Sequence, residues 1–194
     1  MAIHIRMDKL CQKIAEQCKA IGSKSIDQFI HEIISAKRIF IAGTGRSGLV
    51  ARTFGMRLMH LGFTVFIVGE VVTPAIRKGD LLVVVSGTGL TASLVAAART
   101  AKAKGAKVVA ITSFPNSPVA SNSDQVVQVK GRKLGEVDKD YLNRQLAGRH
   151  DPIVPLGTLF ELSTIVFLDA LIEELMLKYR KSEAELKALH TNLE

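Results

Sequence analysis

Ser86, Thr88 and Thr91 fall within six residues of one another, in Ser86-Gly87-Thr88-Gly89-Leu90-Thr91. The apolar run 81–85 stops at Ser86, and a helical pattern over 91–104 begins at Thr91. A strand that breaks into small hydroxyl residues and then opens a helix is suited to holding an anion. Glycines let the backbone turn tightly and present its N–H groups, and the helix N-terminus adds partial positive charge. Each hydroxyl can donate a hydrogen bond to a phosphate oxygen. No Gly-Lys-Ser/Thr follows, so the expected ligand is a small phosphate rather than a magnesium triphosphate. The plainer alternative is an ordinary βα turn with Thr91 as helix N-cap.

A second such turn, Gly43-Thr44-Gly45-Arg46-Ser47-Gly48, also follows an apolar run and opens a helix. It satisfies the dinucleotide pattern G-x-G-x-x-G, and Glu70 lies about 20 residues beyond it, as that fingerprint requires. Against a nicotinamide enzyme stand the charge and hydroxyl of Arg46 and Ser47 inside the loop. The repetition of the loop chemistry at 86–91 and a chain too short for a separate substrate domain weigh the same way.

Glu161 is the third feature. On a helical wheel from Thr158 it shares a face with Ile165, Leu168, Ile172, Leu175 and Met176. An acid in an apolar stripe is costly unless it is paired, neutral or used. Thr158-Leu-Phe-Glu161 fits the capping box Thr-x-x-Glu, which would give Glu161 a structural task. Alternatively it is a general base, since burial raises a carboxylate's pKa towards the range useful for taking a proton beside a carbonyl. The five histidines show no paired metal spacing, so no metal site is expected. His60 reads as a helix C-terminal residue complementing the dipole, and His190 as part of a frayed tail.

Elements that could position these groups follow from periodicity. Strands are expected at 38–42, 63–68, 81–85, 107–112 and 124–129, with helices at 7–21, 25–36, from the first loop to about 60, 91–104, 158–179 and 183–189. Strands alternating with helices imply a five-stranded parallel sheet flanked by helices on both faces. In such sheets ligands bind beyond the carboxyl ends of strands at a switch point, so the loops at 43–48 and 86–91 can converge on one ligand. Residues 130–155 read as a long surface loop with a helical turn at 140–146. The 194 residues suit one domain: N-terminal helices to 36, sheet core 37–130, loop 131–155, then C-terminal helices and tail 156–194.

A composition 47% hydrophobic and 23% charged is globular. The net charge of +8 invites a nucleic-acid reading. Scarce aromatics and scattered basic residues argue against it, and the charge serves an anionic metabolite equally well. Acids interrupt the longest apolar stretch, 159–177, so no membrane span is expected, and no secretory signal is visible. Cys11 and Cys18 lie on one helical face and read as a buried stripe; two thiols without a disulfide framework fit a reducing cytosol.

Four stretches together resemble the sugar isomerase (SIS) domain family, and within it the 6-phospho-3-hexuloisomerases. They are AGTGRSGLVARTFGMRLMHLGFTVFIVGEVVTPAI (42–76), GDLLVVVSGTGLTASL (79–94), PLGTLFELSTIVFLDALIEELM (155–176) and HTNLE (190–194). The resemblance implies a flavodoxin-like three-layer sandwich. The implied activity is a cytoplasmic isomerase of the ribulose monophosphate pathway, which assimilates formaldehyde, interconverting 3-hexulose 6-phosphate and fructose 6-phosphate. It implies no cofactor, no metal, no nucleic-acid partner, and a homo-oligomer, with a tetramer expected. The family's phosphate loop, Ser-x-Ser-Gly-x-Thr, maps onto Ser86 to Thr91, covering Gly87, Gly89 and Leu90, with Thr88 in place of the second Ser. Ser47 is implied as a substrate contact, Glu161 as the proton acceptor, and His190 as a histidine lent to a neighbouring subunit. Arg46 or His190 would stabilise the developing oxyanion. Two related readings stay open: an isomerase of pentose or arabinose 5-phosphates, and a non-catalytic phosphosugar sensor.

Overall fold

Alternation along the strands decides the layers. Ile39, Ile41, Leu81, Val83, Val85, Val109 and Ile111 point to one face of a sheet, while Phe40, Ala42, Leu82, Val84, Val108 and Ala110 point to the other. All are buried, so both faces need cover. The computed structural model describes residues 2–131 and 157–192. Five parallel strands, β1 (Ile39–Gly43), β2 (Val65–Ile67), β3 (Leu81–Val85), β4 (Lys107–Thr112) and β5 (Gln125–Gln128), stand in the order β2-β1-β3-β4-β5. Helices α2 (Ser23–Ser35), α3 (Gly45–His60) and α6 (Thr158–Tyr179) cover the first face through Phe29, Ile33, Phe54, Leu58, Phe167 and Leu171. Helix α4 (Ala92–Ala103) covers the second through Leu94, Ala98 and Ala101. The short α5 (Pro118–Ser121) adds Val119. Two further helices are found among the described residues, α1 (Ala2–Lys19) and α7 (Glu183–Ala188).

This order is the flavodoxin-like arrangement, in which β1 and β3 are neighbours whose connections leave in opposite directions. The loops after β1 and β3 therefore open side by side. That is not the order of a classical dinucleotide fold. Glu70, the acid that completed the dinucleotide pattern, pairs with Arg52.

Several expectations need correction. Helix α1 begins five residues earlier than its apolar periodicity suggests, β2 keeps only three residues, and α5 stands where no helix was expected. The Cys11–Cys18 face is not a buried stripe. Cys11 is exposed, and Cys18 is half-buried with its Sγ donating to the Ser163 carbonyl at 3.7 Å. Ile3, Ile5 and Met7 on α1 are exposed as well. The loop expected over 131–155 falls outside the described residues apart from Gly131. Among the described residues no helix is long and apolar enough to cross a membrane.

At the amino ends of β1 and β3, remote from those loops, Arg38 clasps Asp80. Its Nε donates to Oδ1 at 3.0 Å, Nη2 bonds Oδ2, and the Arg77 N–H donates to Oδ2 at 2.8 Å. Asp80 is 2% exposed. Burial acts to raise its pKa, but the Arg38 guanidinium and the Arg77 N–H outweigh it and hold the carboxyl below its usual range. A folded-state pKa below the unfolded value stabilises the fold above about pH 4, and that stability is lost as pH falls through the lowered folded value. Asp80→Asn should therefore lower the melting temperature by about 5 °C or more at pH 7 and by less near pH 2, with turnover of the folded protein unchanged. Melting curves across that range check it; an equal effect at both pH values would contradict the role of the charge.

Candidate active site

The switch point assembles three segments. The first is the β1–α3 turn, where Gly43 and Gly48 lie against each other: a Cβ on Gly43 would stand 2.9 Å from the Gly48 Cα. That contact lets α3 start at Gly45, which has φ +56°, so Arg46 and Ser47 sit in the first turn of the helix. Ser47 is half-buried and Arg46 exposed.

The second is the loop after β3. Ser86 is buried, and its Oγ accepts from the Gly89 N–H at 3.1 Å; the Leu90 N–H reaches Thr88 Oγ1 at 3.3 Å. Both hydroxyls accept bonds from the loop backbone, and each still has an O–H to donate. Gly89 has φ +65°, and a Cβ there would overlap Ser117 Oγ. Thr91 does occupy the N-cap of α4, but its side chain makes no capping bond, so the ordinary capping role does not account for its hydroxyl. The loop is braced from β4 and α5: the Ser113 N–H donates to the Gly87 carbonyl at 3.2 Å, and the Val119 N–H to the Gly89 carbonyl at 3.0 Å. Sequence reasoning missed this brace. Its signal in the sequence is the Ser-Phe-Pro-Asn-Ser-Pro run at 113–118, rich in turn and capping residues directly after β4.

The third segment is the start of α6. Its N-cap is Gly157, which leaves Thr158 as the first helical residue and Glu161 one position too far along for a capping box. The Glu161 N–H makes an ordinary helical bond to the Gly157 carbonyl at 3.1 Å. Its carboxylate turns outward to the first loop and accepts from Arg46 Nε at 2.8 Å. The Glu161 side chain is 11% exposed and that of Arg46 61%, so the acid is recessed under a cation that reaches into solvent. The one capping box among the described helices is instead at Ser182–Glu185, where the Ser182 N–H, Lys181 and the Ser182 hydroxyl pull Glu185 down to about 2.

His190 is not at this site within its own chain. It follows α7 and stacks on His60, with ring centroids 5.0 Å apart. His60 lies at the opposite end of α3 from Arg46, about 21 Å away at 1.5 Å per residue. The two histidines, with Arg57, Asp169, Ile172 and Met176, help line a cavity of about 660 Å³. His60 is the last residue of α3, where the sequence reading placed it. Burial, with the neighbouring His190 and Arg57, pushes its pKa down. Among the described residues no three His, Cys, Asp or Glu side chains gather into a metal cage.

The arrangement can hold an anion on the hydroxyl loop while presenting a recessed carboxylate beside a guanidinium. Arg46 spends its Nε on Glu161 and has further N–H donors for an oxygen that becomes negative nearby. This is the equipment for moving a proton between carbons adjacent to a carbonyl in a phosphorylated substrate.

Comparison with known proteins agrees with that chemistry. The SIS domain profile matches residues 32–133. The 3-hexulose-6-phosphate isomerase of Methylomonas aminofaciens is 42% identical over 168 residues, covering 87% of each chain. That of Bacillus subtilis is 40% identical over 174 residues, covering 90% of this chain and 89% of its own. A crystal structure from Methanococcus jannaschii, from which a 3-hexulose-6-phosphate isomerase function was inferred, superposes with a TM-score of 0.81. It is 34% identical and covers 97% of this chain and 98% of its own.

Proposed function

The chain belongs to the SIS domain family, and from that premise we propose that it is a phosphosugar isomerase interconverting 3-hexulose 6-phosphate and fructose 6-phosphate. The observation that carries the reading is the Arg46–Glu161 contact beside the hydroxyl loop at the β1/β3 switch point.

A 3-keto hexose with its 6-hydroxyl phosphorylated cannot close a five- or six-membered ring, so it arrives open. The Ser86–Thr91 loop holds its phosphate through the hydroxyls and backbone N–H groups, and Ser47 contacts the sugar. The Glu161 carboxylate takes the proton from C2, and the C2–H electrons form the C2–C3 double bond of an enediolate. Charge gathers on the C3 oxygen, which the unused N–H groups of Arg46 stabilise. Glu161 then returns the proton to C3 while the O2 proton passes to O3, leaving the carbonyl at C2. One base on one face performs both transfers, and no electrons leave the substrate.

The whole chain acts as one domain within a cytoplasmic homotetramer, at the isomerisation step of the ribulose monophosphate pathway of formaldehyde assimilation. Two free thiols support the compartment. Exposed Ile3, Ile5 and Met7 on α1, with Leu49, Met56 and Met59 on α3, support burial against further copies. His190 serves a neighbouring subunit's site, which requires it to leave His60.

Three outcomes test this. Glu161→Gln should lower turnover about 1,000-fold and abolish exchange of solvent hydrogen into the substrate, while inorganic phosphate still binds; normal turnover would sink the assignment. Ser86→Ala should raise KM about tenfold for the phosphorylated substrate only. An equal rise with an unphosphorylated analogue would remove the loop from phosphate binding. Light scattering should give the mass of four chains, and mixing the Glu161→Gln and His190→Ala proteins should restore activity. A single-chain mass, or no recovery, would contradict the shared site.

A further inference from the structure

Phe160 precedes the proposed base and is buried, with 2% exposure. Its ring faces the phosphate loop: a Cβ on Gly87 would stand 3.0 Å from Phe160 Cδ1 and 3.3 Å from Cγ. Its backbone faces Gly131, just beyond β5, where a Cβ would overlap the Phe160 Cβ and come within 2.7 Å of its Cα. One residue further, the carboxylate of Glu161 lies over Gly157, 3.0 Å from where a Cβ would be. Three glycines from three segments thus crowd residues 160 and 161. None has the positive φ that would require glycine for conformation. They are small because Phe160 and Glu161 need the room.

The geometry points to Phe160 as a positioning residue: its ring is the spacer between the loop that holds the phosphate and the turn of α6 that holds the base. This rests on the isomerase reading and adds what sets the substrate's length. A phosphosugar anchored at its phosphate presents to Glu161 whichever carbon lies at the spacer's distance. For a hexulose 6-phosphate this is C2 and C3. A rigid aromatic ring against Gly87, on a backbone that Gly131 approaches from the other side, fixes that distance better than a flexible aliphatic chain.

The test compares Phe160→Leu, Gly87→Ala and the double variant, well below their melting temperatures. Each single change should lower kcat for 3-hexulose 6-phosphate about 100-fold, as expected for a shift of the base by about 1 Å, and in Phe160→Leu, which leaves the loop's own residues intact, the Kd of inorganic phosphate should stay within about twofold of wild type. The preference for 3-hexulose 6-phosphate over a ketopentose 5-phosphate, one carbon shorter, should narrow in the same variants. The double variant should regain much of the lost kcat, because the added methyl occupies space the ring has vacated. Lowered melting temperatures with unchanged kcat and unchanged preference would overturn the role, as would simple addition of the two losses. Should Phe160→Leu fail to fold, Phe160→Met, read for the same split between kcat and phosphate affinity, decides in its place. Wild-type protein that binds 3-hexulose 6-phosphate without converting it would defeat the isomerase reading itself. Wild-type turnover with unaffected variants defeats only the spacer.

Discussion

Glu161 reaches Arg46 because two helices that are far apart in the chain begin at the same level of the sheet. Helix α3 starts where β1 ends, and α6 packs along it in the same direction, so the first turns of both stand over the switch point. A carboxylate recessed among apolar neighbours would be costly alone. The guanidinium offsets that cost and brings N–H donors to the place where an enediolate oxygen would form. Without this contact the hydroxyl loop is an anion cradle with no chemistry beside it, and Glu161 is an acid without a task.

Absence of side chains is as much a part of the site as their presence. Gly43 and Gly48 let α3 start close to its strand, Gly89 lets the phosphate loop turn against Ser117, and Gly87, Gly131 and Gly157 leave room for residues 160 and 161. Two kinds of glycine are at work. Gly45 and Gly89 hold positive φ, whereas the other five give up a methyl to a neighbour. The amino end of the sheet is built differently, around the buried Asp80 and the half-buried Arg38 that pairs with it. One end of the sheet therefore carries a stabilising ion pair and the other the candidate site.

Much of this was legible before any coordinates. β3 and β4 fall where their apolar runs end, because a strand buried on both faces must be apolar throughout. The two loops were found as a pair because each follows a strand and opens a helix, and the sheet order does bring them together. The capping box at Thr158 was a local pattern outranked by tertiary structure: the backbone of Gly157 caps the helix, and Glu161 is drawn to Arg46, 115 positions away. The stripe on α1 failed for another reason, since apolar periodicity says that a face is to be covered but not by what. The sequence does not single out Phe160. Its neighbours Gly87 and Gly131 come from other segments, and no spacing in the chain announces them.

The most direct measurement is a crystal structure with a bound phosphosugar. The account predicts the phosphate on Ser86, Thr88 and Thr91, with C2 and C3 against the Glu161 carboxylate and an oxygen of the sugar on Arg46. A phosphate bound elsewhere, such as in the cavity between His60 and His190, or carbons C2 and C3 turned away from Glu161, would contradict it.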